Sequence, residues 1–363
     1  MFKVIFTLDY EIHGNGDGDP YQLMVEPTWR LIRLLQKYKA KLTVFADVAQ
    51  IEKFKSYYEK TGVDKFSYLK IKEQLEYCIN NGHDVQLHIH SSFYNSIYNG
   101  QRWVQSWGEY NLAALDYNRI ENYIRSGKDF LESFLRPIDP NYRCNVFRAA
   151  NWSMQPSENI LKALHKNGFI IDTSVYKWGK QTGNVSYDYT QAHSQLLPYP
   201  VSFKNINNLD VNSPIFEIPI YCEPKMISSF FTPIRVFRAI RALLHKHEKR
   251  TVQDNAREDI ANKNKKSLTR KLKHLFFKRH PRKLDFNQLS AAQQIRVLKR
   301  IKQRYKDNNN VTPIVFIGHS KTFIKYNERI VNKVLFYLNQ NKGFTLSTFQ
   351  HIDIEYFRKP NEK

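Results

Sequence analysis

Three observations predict a parallel α/β fold closed into a (β/α) barrel. Short apolar, β-branched runs alternate with amphipathic helical segments about seven times along 363 residues. Such alternation builds a parallel sheet covered by helices, and this length suffices to close it. Ionisable residues stand at the C-terminal ends of several runs, where barrels of this kind carry their chemistry: Asp9, Glu11, His88, His90, Arg148, Asp172 and His319. The stretch 225–310 breaks the alternation. It reads as a basic helical insertion before the last barrel strand, leaving 1–224 and 311–363 as the two parts of the barrel.

The elements follow in chain order. Residues 3–8 form an apolar first strand closed by Asp9, Tyr10 and Glu11, and the glycine- and aspartate-rich 14–20 is a loop. Residues 26–39 have a helical period with Trp29, Ile32 and Leu35 as the buried stripe, and 41–48 is a second strand. Residues 68–80 are helical and stop at Asn81-Gly82. The strand 84–89 ends in two histidines. With a side-chain period of two, His88 and His90 share one face, and Leu87 and Ile89 the other.

Residues 91–118 form an aromatic, polar loop. Helix 118–135, strand 145–149 with Arg148, helix 157–167 and strand 169–171 ending in Asp172 come next. Strands 215–221, 313–317 and 344–348 and a helix over 327–339 complete the pattern, with His319 just past 313–317.

Composition narrows the function. Hydrophobic residues are 42% and charged residues 25%, as in a folded soluble protein, while 56 Lys+Arg against 34 Asp+Glu give +22. That excess points to a polyanionic partner. No zinc-finger spacing, RNP-like aromatic strand or glycine-rich phosphate loop accompanies it, so nucleic acid is not the expected partner. Cys78, Cys144 and Cys222 are far apart and odd in number, and read as reduced structural residues. The apolar N-terminus is interrupted by Asp9 short of a secretory core, and no run is long enough to span a bilayer, so a cytoplasmic protein is expected.

The strand-end residues suit hydrolysis. Two histidines and a carboxylate, with one position left to water, form a hydrolytic zinc site. A second carboxylate can act as general base and a histidine opposite can protonate a leaving amine. Arg148 can hold the base ionised and Asp172 can orient His319. Taken singly, the histidines read as core or loop residues, and Arg148 and Asp172 as structural ion-pair partners. Together at successive strand ends they form a site.

Five motifs carry a family resemblance: Thr7-Leu8-Asp9-Tyr10-Glu11, the run 82–90 ending in His88-Ile89-His90, the run 147–153 with Arg148 and Trp152, Ile171-Asp172-Thr173-Ser174, and Phe316-Ile317-Gly318-His319-Ser320. In order they resemble the polysaccharide deacetylase family, the NodB-homology domains, and most closely its WbmS-like branch. The resemblance covers most of the chain outside the insertion. It implies a distorted seven-stranded barrel that removes N-acetyl groups from amino sugars in surface-polysaccharide biosynthesis. It implies Asp9 as catalytic base, Arg148 as its partner, His319 as catalytic acid and Asp172 as the partner of His319.

Glu11, His88 and His90 would then hold one divalent ion, zinc by expectation. Two departures stand out: Tyr10 separates the two acidic residues, and two residues rather than a helical turn separate the histidine ligands. Either Asp9 or Glu11 could therefore be the ligand and the other the base. Trp103, Trp107 and Trp152 are the candidate substrate-binding residues. The alternatives are hydrolysis of another non-peptide C–N bond, or a degenerate site that only binds carbohydrate.

Within the insertion, 230–246 places Val236, Phe237, Ile240, Leu243 and Leu244 on one side of a helical wheel and Arg235, Arg238 and Lys246 on the other. A second basic piece spans 263–283. These faces either dock on the barrel or lie on an anionic membrane surface, and the charge favours the membrane for residues 230–283. A lipid-linked glycan held at the inner face of the membrane is the matching substrate.

Overall fold

The computed structural model describes residues 1–226, 229, 279–308 and 310–358. Phe2–Tyr10 is the hub of a ten-stranded sheet. Every residue of this strand but Lys3 is buried, as a strand covered on both faces requires, and this explains its unbroken apolar run. One edge pairs in parallel with Thr312–His319, Phe2 opposite Thr312 and Asp9 opposite His319. The other edge is shared, residues 2–5 against Phe344–Ser347 and 7–10 against Thr43–Asp47.

The parallel run continues through Asp84–Ile89, Val146–Ala149, Ile171–Asp172 and Phe216–Glu217. Tyr199–Ser202 and Asn205–Leu209 add an antiparallel pair beyond Phe216–Glu217. Single bridges join Ile220 to Val315 and Asp285 to Ile317, bringing later chain against the free edge of Thr312–His319 and curling the sheet into a half-barrel. The sheet thus has ten strands rather than the seven that the resemblance implies, the antiparallel pair among them.

The register aligns the chemistry. Asp47 lies opposite His88, His88 opposite Arg148 and Asp9 opposite His319, so the C-terminal strand ends meet at one end of the half-barrel. Helices Glu26–Gln36, Tyr68–Asn80, Tyr117–Leu135 and Lys325–Asn339 stand where the periodicity predicts them. Val48–Thr61 is a further helix. Its first turn follows the second strand without a break, so in the sequence its apolar start merges with that strand. Gly62, at φ 70°, caps it with an N–H donated to the Tyr58 carbonyl.

The expected boundary at 310 shifts. Arg279–Lys283 pairs antiparallel with Cys222–Met226, and Leu284, Phe286, Leu289, Val297, Leu298 and Ile301 are buried. The helix Ala291–Arg304 begins with a capping box between Ser290 and Gln293. Residues 279–308 therefore belong to the packed body of the fold, not to a separate insertion. The amphipathic pieces 230–246 and 263–278 lie outside the described residues. Among the described residues, no helix is long and apolar enough to cross a membrane.

Gly318 shows how tightly the last strand is packed. A β-carbon there would lie 2.1 Å from Cζ of Phe286 and 2.3 Å from Oδ1 of Asn287. Both neighbours are buried, so the clash has no cheap exit. Gly318→Ala is expected to destabilise the protein by about 1–3 kcal/mol, read as a lower urea midpoint. An unchanged midpoint would show that Phe286 and Asn287 yield freely.

Candidate metal and acid–base site

Arg148 is the innermost charge of the site and is wholly buried. Its Nη1 donates to Asp9 Oδ1 at 2.8 Å and to Thr7 Oγ1 at 2.8 Å, and its Nε donates to the Thr173 carbonyl at 3.1 Å. The guanidinium also lies 4.0 Å over the Phe45 ring. Burial alone would raise the Asp9 carboxyl. Arg148, with His319 and His88, outweighs it and holds Asp9 below its ordinary value, hence ionised at neutral pH.

His319 stands opposite Asp9, its Nε2 3.5 Å from Asp9 Oδ2 and 4.0 Å from Glu11 Oε1. Its side chain is 20% exposed where Asp9 is 3% exposed, so His319 is the more open of the two groups. Burial outweighs the neighbouring carboxylates and lowers its pKa, leaving the resting imidazole neutral. Asn287 holds the backbone of His319 from both sides, donating to its carbonyl at 3.0 Å and accepting its N–H at 3.3 Å.

Glu11, His88 and His90 form a second group, one ligand atom from each within 4.8 Å of the others. Both histidines lie on one face of their strand, their ring centroids 5.1 Å apart. The Arg148 carbonyl can only accept, so the 2.8 Å contact makes Nδ1 of His88 a donor and turns Nε2 toward Glu11 Oε2, 3.7 Å away. Asp47 takes Nδ1 of His90 at 2.7 Å and its backbone N–H at 3.2 Å, the orienting carboxylate that metal-binding imidazoles commonly have.

Glu11 Oε2 is buried and accepts no hydrogen bond in the structure, while His88 Nε2 approaches it at 3.7 Å and His90 Nδ1, the nitrogen that also meets Asp47, at 3.2 Å. An orphaned carboxylate oxygen facing two oriented imidazoles fits a divalent ion. Glu11, rather than Asp9, is the carboxylate placed with the histidines. Burial would raise its carboxyl, but Lys321, 2.7 Å from Oε1, and the histidines hold it well below its ordinary value. Burial would lower His88, yet Glu11 and Asp9 raise it to about 8.

Two expectations need correction. Asp172 does not sit beside His319. It accepts from Ser174 Oγ at 2.7 Å and lies opposite Glu217 across paired strands, both carboxyls wholly buried. Burial raises both groups, Glu217 more strongly. Strand register gives the place beside His319 to Asp9. Trp103 does not line the site either: it is 6% exposed and packed among Phe54, Phe66 and Tyr98.

Trp107 is exposed and rests on Tyr110, whose hydroxyl donates to Asn151. Trp152 alone of the three reaches the centre, edge-on to His319 at 5.8 Å. Asp47, Asn287 and Lys321 are site residues that the sequence reading passes over. Asp47 ends a strand, the same signal that marks His88 and Arg148.

No family model matches the chain, and no curated protein matches it. Among solved structures, it is similar to 4-alpha-glucanotransferase from Thermococcus litoralis, with 13% identity and a TM-score of 0.52 over 99% of this chain and 40% of that one. It is also similar to Puue allantoinase, with 11% identity and a TM-score of 0.48 over 98% and 89% of the two chains. A probable polysaccharide deacetylase from Pseudomonas aeruginosa PAO1 matches with 13% identity and a TM-score of 0.48 over 96% and 88%. The first of these likenesses shows a shared fold.

Metal uptake should be pH-dependent. The proton held by His88 up to about pH 8 competes with a cation. Affinity for Zn²⁺ should therefore fall by up to about tenfold per unit as pH drops below that value. Asp47→Ala should cost a further 10–100-fold or so. Chelator competition at pH 6.5 and 7.5 reads both, and affinities that ignore pH and Asp47 would contradict this ligand set.

Proposed function

We propose that the protein is a metal-dependent amide hydrolase that removes an N-acetyl or similar N-acyl group from an amino sugar. The observation carrying this reading is the adjacency of two groups: an ionised carboxylate paired with a buried arginine, and a Glu-His-His cluster with an orphaned oxygen, both reached by His319. The five motifs in family order support the carbohydrate substrate. A divalent ion held by Glu11, His88 and His90 would polarise the acyl carbonyl and acidify a water.

The chain's own residues supply the proton chemistry. Asp9 is ionised at rest and accepts the proton of the attacking water. Arg148 keeps it ionised and fixes its orientation through Oδ1, leaving Oδ2 toward His319. At 3.5 Å that oxygen can pass the proton to Nε2 of the neutral His319, which delivers it to the departing amine nitrogen. One proton taken from water thus leaves on the amine and both residues return to their starting states. Trp152, beside His319, offers a ring on which a sugar can stack.

Surface-polysaccharide biosynthesis, with a lipid-linked glycan met at a membrane surface through 230–278, extends this reading. It is supported by the motif resemblance and the basic, amphipathic composition of that segment. One observation favours a second reading, a carbohydrate-binding protein without turnover: Lys321 places an ammonium on the same Glu11 carboxylate that would hold the metal.

Acetate release from chitooligosaccharides separates the two. Asp9→Asn and His319→Ala should each lower turnover by about a hundredfold or more while metal content stays at the wild-type level. Near-normal turnover in either variant would remove that residue from the chemistry, and a wild type that binds metal and sugar yet releases no acetate would favour the second reading.

A further inference from the structure

Lys283 closes the strand Arg279–Lys283 opposite Cys222. Its ammonium lies 3.9 Å from the centroid of Trp152 and 4.4 Å from that of Tyr176. These rings meet nearly perpendicular at 6.1 Å, and Trp152 is in turn edge-on to His319. One aromatic residue therefore separates the proton-donating histidine from a cation.

The other cations of the site each hold a carboxylate, Arg148 on Asp9 at 2.8 Å and Lys321 on Glu11 at 2.7 Å. Among the described residues, no carboxylate stands within salt-bridge distance of Lys283. Burial lowers its pKa to about 8, and the opposing pull of Asp285, Cys222 and Asp9 does not restore it. Attraction to two rings offsets only part of the cost of taking an ammonium out of water. For filling the space between the rings, a methionine would serve as well.

The platform under this cation is firmly held. Asn151 and Trp152 both have positive φ, 53° and 64°, a conformation that costs a bulky residue energy and persists only where the surroundings enforce it. Here the Tyr189 hydroxyl holds the Trp152 carbonyl at 2.5 Å and accepts the Met154 N–H at 2.8 Å. Strained backbone thus presents an indole between His319 and an unneutralised ammonium.

We propose that Lys283 anchors an anionic oxygen group of the substrate, a carboxylate or phosphate carried by the amino sugar that stacks on Trp152. The acyl nitrogen then faces His319 and the charge faces Lys283, so the pair sets both specificity and orientation. The inference rests on the amide-hydrolase reading for its substrate class, but binding can be measured without turnover.

Equilibrium binding is compared for N-acetylglucosamine, N-acetylglucosamine 6-phosphate and N-acetylmuramic acid, with wild type, Lys283→Met and Lys283→Arg. Wild type should bind at least one charged sugar about tenfold more tightly than the neutral one, and the preferred sugar tells phosphate from carboxylate. Lys283→Met should lose that preference with its melting temperature unchanged, and Lys283→Arg should keep most of it. The wild-type preference should also shrink as salt rises, a readout that needs no variant. Equal binding of charged and neutral sugars, no binding of either charged sugar, a preference indifferent to salt, or one that survives in Lys283→Met would each overturn the proposal. Acetate release is scored separately: a preference that depends on Lys283 without turnover would count against the hydrolase reading and leave the anion site standing.

Discussion

The buried pair of Arg148 and Asp9 is the interaction on which the rest of the site depends. A guanidinium with no solvent exposure is costly unless its donors are met, and here the ends of two strands meet those of Nε and Nη1. Thr7 and Asp9 come from the first strand, and Thr173 follows the fifth parallel segment. The backbone carbonyl of the same arginine fixes the tautomer of His88. One residue therefore sets the charge of Asp9, ties non-neighbouring strands together and aims His88. Breaking such a pair from one side leaves an uncompensated buried charge, a loss on the order of 3–5 kcal/mol.

The other groups divide the work around that pair. Asp172 and Glu217 lie opposite one another on neighbouring strands, and burial raises both carboxyls, Glu217 more strongly. Asp47 orients His90 and Asn287 orients His319, each from an element next to the one it supports. Gly318 lets Phe286 and Asn287 approach closely enough for that second contact. The segment 279–308, basic in composition like the residues before it, is what delivers Asn287 and Lys283 to the site.

Much of this is legible in the sequence, for a physical reason. Ionisable residues after apolar runs are expensive to bury, and a parallel sheet gathers strand ends at one place, so Asp9, Glu11, His88, His90, Arg148 and His319 stand out as a set though not singly. The period of two puts both histidines on one face and the structure keeps them there. Partnership across strands is not legible, because it is set by register between segments far apart in the chain. Asp172 is therefore expected beside His319 but lies opposite Glu217. Trp103 belongs to an aromatic stretch that reads equally as a sugar platform and as packing, and burial among Phe54, Phe66 and Tyr98 decides for packing. A shift in composition hides the fold boundary, since residues 279–308 share the basic character of the preceding segment while carrying its own buried stripe.

The central claim is that Glu11, His88 and His90 are a working metal centre and not a hydrogen-bonded cluster neutralised by Lys321. Elemental analysis of purified wild-type protein beside His88→Ala tests it most directly. The account predicts about one divalent ion per wild-type chain and almost none in the variant, because the remaining two ligands do not complete a hydrolytic site. Equal metal content in the two proteins, or none in the wild type after incubation with zinc, would contradict it.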